Sequence, residues 1–482
     1  MTIKARLIDI VGTKHVTENI ADRYIYSFDM TENPPQKPDF VVMPTSVGEI
    51  CAIVQLANET LTPLVPYVTG QNVGGLTIPQ IEGAIVVDLR RMNKVLEIDK
   101  EAMYVLVEPG VTFGHLKRTL ESKAPGFRYT YPLAPPYTSV VANALLQGLC
   151  DLSTQHGAMA DFINGLESVL PTGEIVRVGS GILGENNWFG RYPLPDLVGL
   201  FSGWQGMSGI VTKMALKIWT KPKHKRHVAL FTFGEHETTN LLKQIAATRV
   251  IEDADCMSIS IVKMLLGVDY PVRVLEGEPD YGTVLAVSGS TETEVSEKMS
   301  VIQQLVDNAN KCGEKHLLID WDTVAKMMGD QARSWIDFPS DAFKVLTEFD
   351  GLTWCGTYIH PQHWGKALAS GRSIVEEYGF ELMAFLKPMH GMHFAEFKFI
   401  IRFEKKPSVV EKVRQCNIEL LDFALDLGAI PYKTPVWAAK KLHKRIDPGY
   451  LKLLKKLRRF LDPNGIMNPG RWAIADEQEA ES

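Results

Sequence analysis

A short glycine-rich segment near the amino terminus has the composition of a diphosphate-binding loop. Residues 65–76 read VPYVTGQNVGGL, and an apolar stretch at residues 84–88 predicts a buried strand directly after them. Gly70, Gly74 and Gly75 can adopt backbone angles that other residues avoid, so the loop can turn several amide N–H groups toward one anion. The segment indicates a nucleotide cofactor, and its alternative is a plain turn, in which glycine is equally common.

Further motifs follow the glycine loop in order. They are VVDLRRMNKVL at residues 86–96, VEPGVTF at 107–113, LPTGE at 170–174 and GIVTK at 209–213. Together with the glycine loop, this series resembles the flavin domain of the vanillyl-alcohol oxidase and p-cresol methylhydroxylase family. The likeness continues to DPNGIMNPG at residues 462–470 and therefore brackets nearly the whole chain.

This resemblance implies a fold, a cofactor and a class of reaction. The expected fold class is α+β, in a two-domain flavoprotein with an FAD-binding domain of the p-cresol methylhydroxylase (PCMH) type and an antiparallel-sheet cap domain. Within the family, the chain resembles the branch that acts on para-substituted phenols, as 4-cresol dehydrogenase does, more than the D-lactate branch. The expected segments are an N-terminal segment at residues 1–33, the FAD-binding domain at 34–222, the substrate-binding cap at 223–439 and a return to the FAD domain at 440–482.

Composition sets independent limits. A chain of 482 residues, 45% hydrophobic, exceeds what one core usually organises, so two domains are expected. A net charge of −6 gives no electrostatic footprint for nucleic acid. The six cysteines are dispersed, the N-terminus lacks a signal-peptide core, and no apolar run is long enough to span a membrane. These features predict a cytoplasmic protein with neither a nucleic-acid partner nor a membrane span.

The hydrophobic periods place strands and helices in both predicted domains. In the first domain, Thr112 and Ser139 are expected N-caps, and a helix beginning at Ser139 would point its positive end toward the cofactor. The basic run at residues 221–227 predicts a surface crossing into the second domain. Expected strands lie at residues 84–88, 104–108, 166–170, 175–178 and 210–219, and in the cap at 228–233, 283–287, 354–359, 381–385 and 396–403, with cap helices at 241–250, 295–306, 364–377 and 409–427.

The resemblance assigns most of the expected FAD contacts to five parts of the chain. The glycine loop contributes main-chain groups and the side-chain donor of Asn72, and Thr138, Ser139 and Asn143 add hydroxyl and amide groups beside a helix start. The predicted cofactor-binding residues are Pro66, Val68, Thr69, Gly70, Gln71, Asn72, Val73, Gly74, Gly75, Leu76, Pro132, Thr138, Ser139, Asn143, Gly157, Ala158, Gly209, Ile210, Thr212 and Asn468.

Three residues are candidates for catalysis. Tyr432 and Lys433 resemble the tyrosine–arginine pair that binds the phenolate oxygen in the phenol-oxidising branch, with lysine replacing the bidentate arginine. Tyr432 would donate a hydrogen bond to a developing oxyanion, and Lys433 would stabilise its charge. His156 lies where the family places a loop along the flavin, and its alternative role is to satisfy loop backbone groups.

A dense cluster of potential ligands lies at residues 390–396, HGMHFAE. On a helix, His390, His393 and Glu396 would share a face and could hold a metal, whereas on a strand they would not. The flanking composition favours a strand, so no resident metal is predicted. Family members often attach the flavin covalently in this part of the cap, which makes His393 and then His390 candidates for such a link, alongside an ordinary buried or surface role.

Three departures from the phenol-oxidising pattern weaken the case for a simple para-phenol substrate, and one of them is the lysine at position 433 in place of arginine. The second tyrosine expected in the glycine loop is absent because Val73 stands there, and the segment at residues 133–137 has no carboxylate to accept a proton. The predicted reaction is transfer of a hydride from an alcohol, phenol or hydroxy acid to flavin N5, with electrons then passing to oxygen or a redox protein.

Two alternatives stay open at this point. The first is a D-2-hydroxy-acid dehydrogenase, of lactate or glycolate type, that holds the substrate carboxylate through a metal bound by the histidine cluster. The second is a flavin subunit of a larger electron-transfer complex, which docks an acidic partner through the basic segment at residues 440–459. That segment is otherwise expected to form amphipathic helices that pack on the core. A homodimer is expected by analogy with the family.

Overall fold

The computed structural model describes residues 1–71, 74–184, 186–266, 268, 272, 274–329, 335–339 and 350–474. The predicted FAD contacts Asn72 and Val73 lie outside these described residues, as does the acidic tail at residues 475–482.

A small sheet carries the glycine loop. Phe40–Val42 and Leu64–Tyr67 both pair in parallel with Ile85–Asp88, and Val16–Thr17 adds an antiparallel edge. The crossover helix Val47–Thr60 begins where the Ser46 hydroxyl accepts a hydrogen bond from the Glu49 amide. Helix Ile3–Val11 packs on this helix, and Ile20–Ile25 follows it in the chain.

A second, antiparallel sheet completes the first domain. Its strand order is Val95–Asp99, Tyr104–Val107, Ile210–Lys217, Ile163–Val169 and Ile175–Gly179. Helix Phe113–Lys123 begins after Thr112, whose hydroxyl accepts from the His115 amide, and helix Val140–Leu145 begins after Ser139, whose hydroxyl accepts from the Ala142 amide. Both predicted N-caps are therefore confirmed. The short helix Ser153–His156 and the strand pair Phe127–Arg128 and Trp219–Thr220 lie beside this core.

The second domain is an antiparallel sheet backed by helices, which confirms the expected architecture. The sheet order is His316–Asp320, His224–Thr232, Tyr281–Gly289, Asp253–Ser258, Ala384–Met389, Phe394–Phe403, Gly351–Ile359 and Ile430–Pro431. The helices are Glu235–Thr248, Ile259–Leu265, Glu292–Lys311, Trp321–Met328, Trp364–Glu377 and Pro407–Asp426.

The basic run at residues 221–227, predicted to cross the surface into this domain, is exposed or half-buried throughout. The strand His224–Thr232 begins inside the run and pairs along its whole length with Tyr281–Gly289, so the connection itself is residues 221–223. The polar side chains are tolerated there because they find partners, as Arg226 does at Glu292 and Lys225 at Glu252. The place of this segment in the sheet decides where the strand begins, and the local sequence pattern does not report that place.

The C-terminal segment returns to the first domain. After helices Val436–Leu442 and Pro448–Leu461, Met467 forms a parallel bridge with Leu64 beside the glycine loop. The buried Arg471 guanidinium donates to the carbonyl oxygens of Gly75, Leu76 and Ile78 at 2.7–3.0 Å. The two ends of the sequence therefore build one cofactor-side wall. No helix in the described part of the chain is long and apolar enough to cross a membrane.

Candidate active site

Two adjoining cavities lie between the first domain and the cap. The smaller, of about 140 Å³, lies against the glycine loop, and the larger, of about 420 Å³, lies against one face of the cap sheet. The two cavities adjoin because they share five lining residues: Gly70, Gln71, Thr138, Asn143 and Lys433. An extended ligand can therefore be held in the smaller space with its reactive end in the larger one.

The residues around the smaller cavity fit the predicted FAD. The Thr138 hydroxyl and the Gln205 side-chain carbonyl oxygen are buried and have no hydrogen-bond partner among the described residues, so a polar ligand would satisfy them. Gly209 has a φ of +142°, and an added Cβ would lie 2.6 Å from the Val169 carbonyl oxygen. Only glycine therefore fits so close to Val169 at the start of this strand, beside the smaller cavity.

Most of the predicted cofactor contacts are brought together here. Gln205 and Gly206 also line the smaller cavity and were not singled out from the sequence, although they stand just before the predicted strand at residue 210. The predicted residues that line the smaller cavity are Pro66, Val68, Thr69, Gly70, Gln71, Leu76, Thr138, Ser139, Asn143, Gly209 and Asn468, while Pro132 lines the larger one.

Gly74 and Gly75 do not line the smaller cavity, contrary to expectation. The Gly75 amide donates to the buried Asp29 carboxylate at 2.7 Å, and the Gly75 carbonyl accepts from Arg471. An added Cβ on Gly75 would meet the Asn33 side chain at 2.6 Å. Gly75 therefore serves close packing within the protein, and of the three loop glycines Gly70 alone lines the smaller cavity.

Two predicted residues on the strand Ile210–Lys217 point their side chains elsewhere. Ile210 packs in the core of the small sheet, and the Thr212 hydroxyl donates to the Glu167 side chain at 3.0 Å. Val211, between them, lines the smaller cavity. The reason is the period of two along a strand, which sends neighbouring side chains to opposite faces.

The predicted histidines occupy a different place. His156, His390 and His393 line a separate cleft of about 570 Å³, which shares no lining residue with the other two cavities. The His156 ring stacks on Trp219 at 5.8 Å, and His390 Nε2 lies 3.5 Å from an Asp161 carboxylate oxygen. The structure therefore separates His156 from the larger cavity and both cap histidines from the smaller cavity, where FAD is predicted to bind.

The hairpin geometry explains this separation. Residues 390–393 form the turn between Ala384–Met389 and Phe394–Phe403, with φ of +50° at His390, so neither the helix nor the strand expected there forms. Gly157 and Ala158 line none of the three cavities, and an added Cβ on Gly157 would meet the His390 ring at 2.2 Å. Glu396 lies buried in the following strand, and no metal-binding group of three side chains forms within the described ranges.

Tyr432 and Lys433 lie at the larger cavity, as a catalytic pair requires. Tyr432 is buried, its amide donates to the Gly356 carbonyl at 2.9 Å, and burial raises the pKa of its phenol well above the usual value. Lys433 Nζ donates to Asn143 Oδ1 at 3.1 Å. Burial, with the neighbouring Lys398 ammonium, lowers the pKa of Lys433 to about 7.

The cap sheet adds charged groups that were not assigned catalytic roles from the sequence. On the strand Phe394–Phe403, Glu396 and Lys398 share the cavity-side face, and Lys398 Nζ lies 3.2 Å from Glu396 Oε1 and 5.2 Å from the Tyr432 ring centre. Burial raises the pKa of Glu396 to about 7, against the opposing effect of Lys398. Their spacing of two on a strand was the signal available in the sequence.

A second charged group lies in the same wall. Lys387 Nζ, which is buried, contacts carboxylate oxygens of Asp253 and Asp255 at 2.6 Å each. Asp253 also accepts a hydrogen bond from the Thr154 hydroxyl of the first domain at 3.1 Å. Burial is the main cause that raises the pKa of Asp253, while Lys387 lowers it. This cluster links the two domains and contributes Lys387 and Asp255 to the lining of the larger cavity.

Comparison with protein families agrees with this geometry. Residues 38–179 match the model described as FAD binding domain, and residues 437–472 match the model described as FAD linked oxidases, C-terminal domain. The two matched segments are the loop-bearing domain and the C-terminal return, which meet around Arg471 and the glycine loop.

Comparison with individual proteins extends the likeness over the whole chain. The chain is 25% identical to the glycolate oxidase subunit GlcD of Bacillus subtilis (strain 168), over 99% of this chain and 98% of that protein. It is 24% identical to the flavoprotein subunit of 4-cresol dehydrogenase [hydroxylating] from Pseudomonas putida, over 92% and 89%. The crystal structure of p-cresol methylhydroxylase with substrate bound matches at a TM-score of 0.84 and 21% identity, over 98% and 96%.

Proposed function

We propose that this chain, which carries an FAD binding domain and the C-terminal domain of FAD linked oxidases, oxidises an alcohol, a phenol or a 2-hydroxy acid that has an apolar body. It is an FAD-dependent oxidoreductase, so the open questions are the substrate and the residues that handle it. The larger cavity supports an answer to both, because it joins the predicted cofactor site to a set of polar groups on the cap.

One observation carries the proposal: a mostly apolar cavity has its lysine side chains gathered on the cap side, next to Tyr432. Met257, Trp354 and Phe385 are among the apolar lining residues, and Tyr432 and Lys433 stand among them. Such a lining binds an apolar body by burial and fixes its orientation through a small number of polar contacts. The arrangement favours a substrate with one oxygen that is anionic or becomes anionic during the reaction.

The chain's residues divide the work between the two cavities. The loop at Gly70 and the polar groups of Thr138 and Gln205 hold FAD, which when bound supplies the acceptor for a hydride. Tyr432 donates a hydrogen bond to the substrate oxygen, and Lys433 stabilises the negative charge on it. The buried setting strengthens both interactions because the cavity wall excludes water.

The cap also provides a route for the proton that an alcohol loses on oxidation. As the C–H bond breaks, its electron pair leaves with the hydride, and the O–H proton passes to a base. Lys433 carries a neutral amine above a pH of about 7 and lies on the cavity wall next to Tyr432, so it can accept this proton. Glu396, buried beside Lys398, offsets the positive charge that Lys433 gains when the proton arrives.

A 2-hydroxy acid is the second candidate substrate. The similarity to a glycolate oxidase subunit favours it, and the lysines at residues 398 and 433 offer a carboxylate two cationic partners. A metal-assisted version that uses His390, His393 and Glu396 together is not supported, because the turn separates those side chains.

The electron acceptor, location and assembly are further parts of the proposal. We propose that the reduced cofactor is reoxidised by oxygen or by a redox protein, and that the chain works in the cytoplasm as a homodimer. Six cysteines without a disulfide among the described residues agree with a reducing compartment. The flavin-subunit alternative predicts turnover only when a specific acceptor protein is added.

The test begins with purified protein. An absorbance spectrum establishes bound flavin, and retention of colour after acid precipitation would establish a covalent link. Anaerobic mixing with benzylic alcohols, para-alkyl phenols, D-lactate and glycolate then identifies which class bleaches the flavin.

The matched variant is Tyr432→Phe, which removes one hydroxyl and keeps the ring in place. Loss of one preorganised donor typically lowers the catalytic rate by about 10² to 10³. We expect a loss of this size in the rate of flavin reduction with unchanged flavin content. Unchanged reduction by the best substrate would remove Tyr432 from the mechanism, and colourless protein that refuses added FAD would remove the proposed function itself.

A further inference from the structure

The helix Pro448–Leu461 presents an unusual surface outside the active site. Residues 440–461 contain nine lysines and arginines and one aspartate, although the whole chain has a net charge of −6. Leu454 and Arg458 are the buried side chains of this helix, and they attach it to the flavin domain through Met207. Tyr450, Lys452, Leu453, Lys456 and Phe460 are exposed, while Leu451, Lys455 and Leu457 are half-buried.

The outward face carries two parallel rows. Tyr450, Leu453 and Phe460 form an apolar row and are 50%, 54% and 81% exposed. Lys452 and Lys456 are exposed beside it and make no ion pair within the described ranges. Exposed large apolar side chains are costly next to water, so a row of them beside a basic row indicates a surface that is covered in use.

The helix length and side-chain pattern discriminate between kinds of partner. The 14-residue helix extends about 21 Å at 1.5 Å per residue, enough to lie flat on a surface. An interfacial helix buries Phe and Leu among lipid chains while Lys and Arg contact anionic headgroups. An acidic protein would complement the lysines, but it would leave the protruding Phe460 to be matched by a pocket of its own. The two parallel rows favour a lipid surface.

We propose that the helix Pro448–Leu461 docks this protein on the surface of an anionic bilayer. The apolar row enters the headgroup region, and the lysines and Arg459 contact lipid phosphates. Docking of this kind is peripheral and reversible, since a single short helix buries little apolar area. It would bring the flavin domain beside any electron acceptor that is dissolved in the membrane.

The experiment uses the full-length flavin-loaded protein and vesicle sedimentation. Vesicles of phosphatidylcholine alone are compared with vesicles containing phosphatidylglycerol, at low and high salt. We expect binding to the anionic vesicles only, and we expect salt to weaken it because screening acts on exposed charges. No sedimentation, or equal sedimentation with both lipids, overturns the proposal.

Two variants locate the contact. Lys452→Glu combined with Lys456→Glu should lower vesicle binding by about tenfold or more, since each basic residue near an anionic surface contributes measurably. Phe460→Ser should weaken binding without changing its salt dependence. Lys366→Glu, at an exposed position on the helix Trp364–Glu377, is the control and should bind as the parent does. Equal binding by all variants overturns the proposal.

A second readout separates this inference from the proposed function. None of these side chains lines the two flavin-side cavities, so oxidation of the substrate with a soluble dye should be the same in all variants. Binding to an acidic protein with no binding to anionic vesicles would assign the surface to a protein partner and overturn the lipid proposal.

Discussion

The two walls of the active-site cavity are built in opposite ways. The flavin-side wall consists of loops and helix starts, where glycine, proline and small hydroxyl residues such as Thr138 and Ser139 approach the cavity. The cap-side wall is one face of an antiparallel sheet, from which long charged side chains such as Lys387 and Lys398 project. The backbone conformation of loops and helix starts shapes the flavin-side wall. The side chains that the strands direct inward shape the cap-side wall.

This difference fits the two tasks. A cofactor common to many proteins is held by backbone geometry, which needs small residues and correct turns. A substrate is selected and activated by specific charges, which rigid strands place accurately because their side chains alternate. Changes in the first wall should therefore affect cofactor content and stability, whereas changes in the second should affect chemistry and charge balance.

The largest effect is expected where the cap wall buries charge. Lys387→Met leaves the carboxylates of Asp253 and Asp255 buried without their cation, and breaking such a pair typically costs about 3–5 kcal/mol of folding free energy. Urea denaturation should detect this loss. Adding Asp253→Asn and Asp255→Asn to the same chain should restore much of it, and Lys366→Met should cost little. A single variant as stable as the parent would contradict the buried cluster.

A smaller effect is expected at the flavin wall. Gly209→Ala places a Cβ 2.6 Å from the Val169 carbonyl in a backbone conformation that favours glycine, a strain of about 1–3 kcal/mol. We expect lower FAD content after purification and a lower thermal midpoint. Gly48→Ala is the matched control, because nothing lies within 4 Å of its added Cβ and the site is helical. Equal FAD occupancy in both variants would argue against a role for Gly209.

The smallest effect is expected from titration of Lys433 in the cap wall, measured as a change in inhibitor affinity with pH. The pKa of Lys433 is lowered to about 7, so its positive charge is present below that pH and lost as the pH rises through it. The affinity for an inhibitor that stays anionic, such as a benzoate, should therefore fall by up to about tenfold per pH unit above 7. In Lys433→Arg the charge persists, so the inhibition constant should vary less with pH. A parent profile that stays flat from pH 6 to 9 would contradict this assignment.

The contrast between the walls also explains which residues were predictable. The flavin wall is built from a few short segments, and its glycine loop, Ser139 and Asn468 were named from local motifs. Within that wall, Gly74 and Gly75 do not line the smaller cavity, and the backbone groups of Gly75 bond to Asp29 and Arg471, which are remote in sequence. A motif reports that a loop can turn, but it does not report which of its groups are engaged by distant side chains.

The cap wall was harder to predict because its members come from several strands. Lys387 stands opposite Glu396 in the sheet, and Lys398 stands opposite Phe385, but only the strand register creates these neighbours. The histidines at residues 390 and 393 form a cluster in the sequence, but in the structure they lie in a turn that faces another cleft. Proximity in sequence was misleading there, since a tight turn directs successive side chains apart.

The amino-acid sequence by itself determined the cofactor, the α+β class and the capped helices, because these depend on local backbone preferences and on the order of motifs along the chain. Only the tertiary structure decided that Tyr432 and Lys433 share a cavity with Lys398 and Asp255, and that His156 does not. The physical reason is that strand register and domain contact bring together residues hundreds of positions apart, and neither leaves a local trace in the chain.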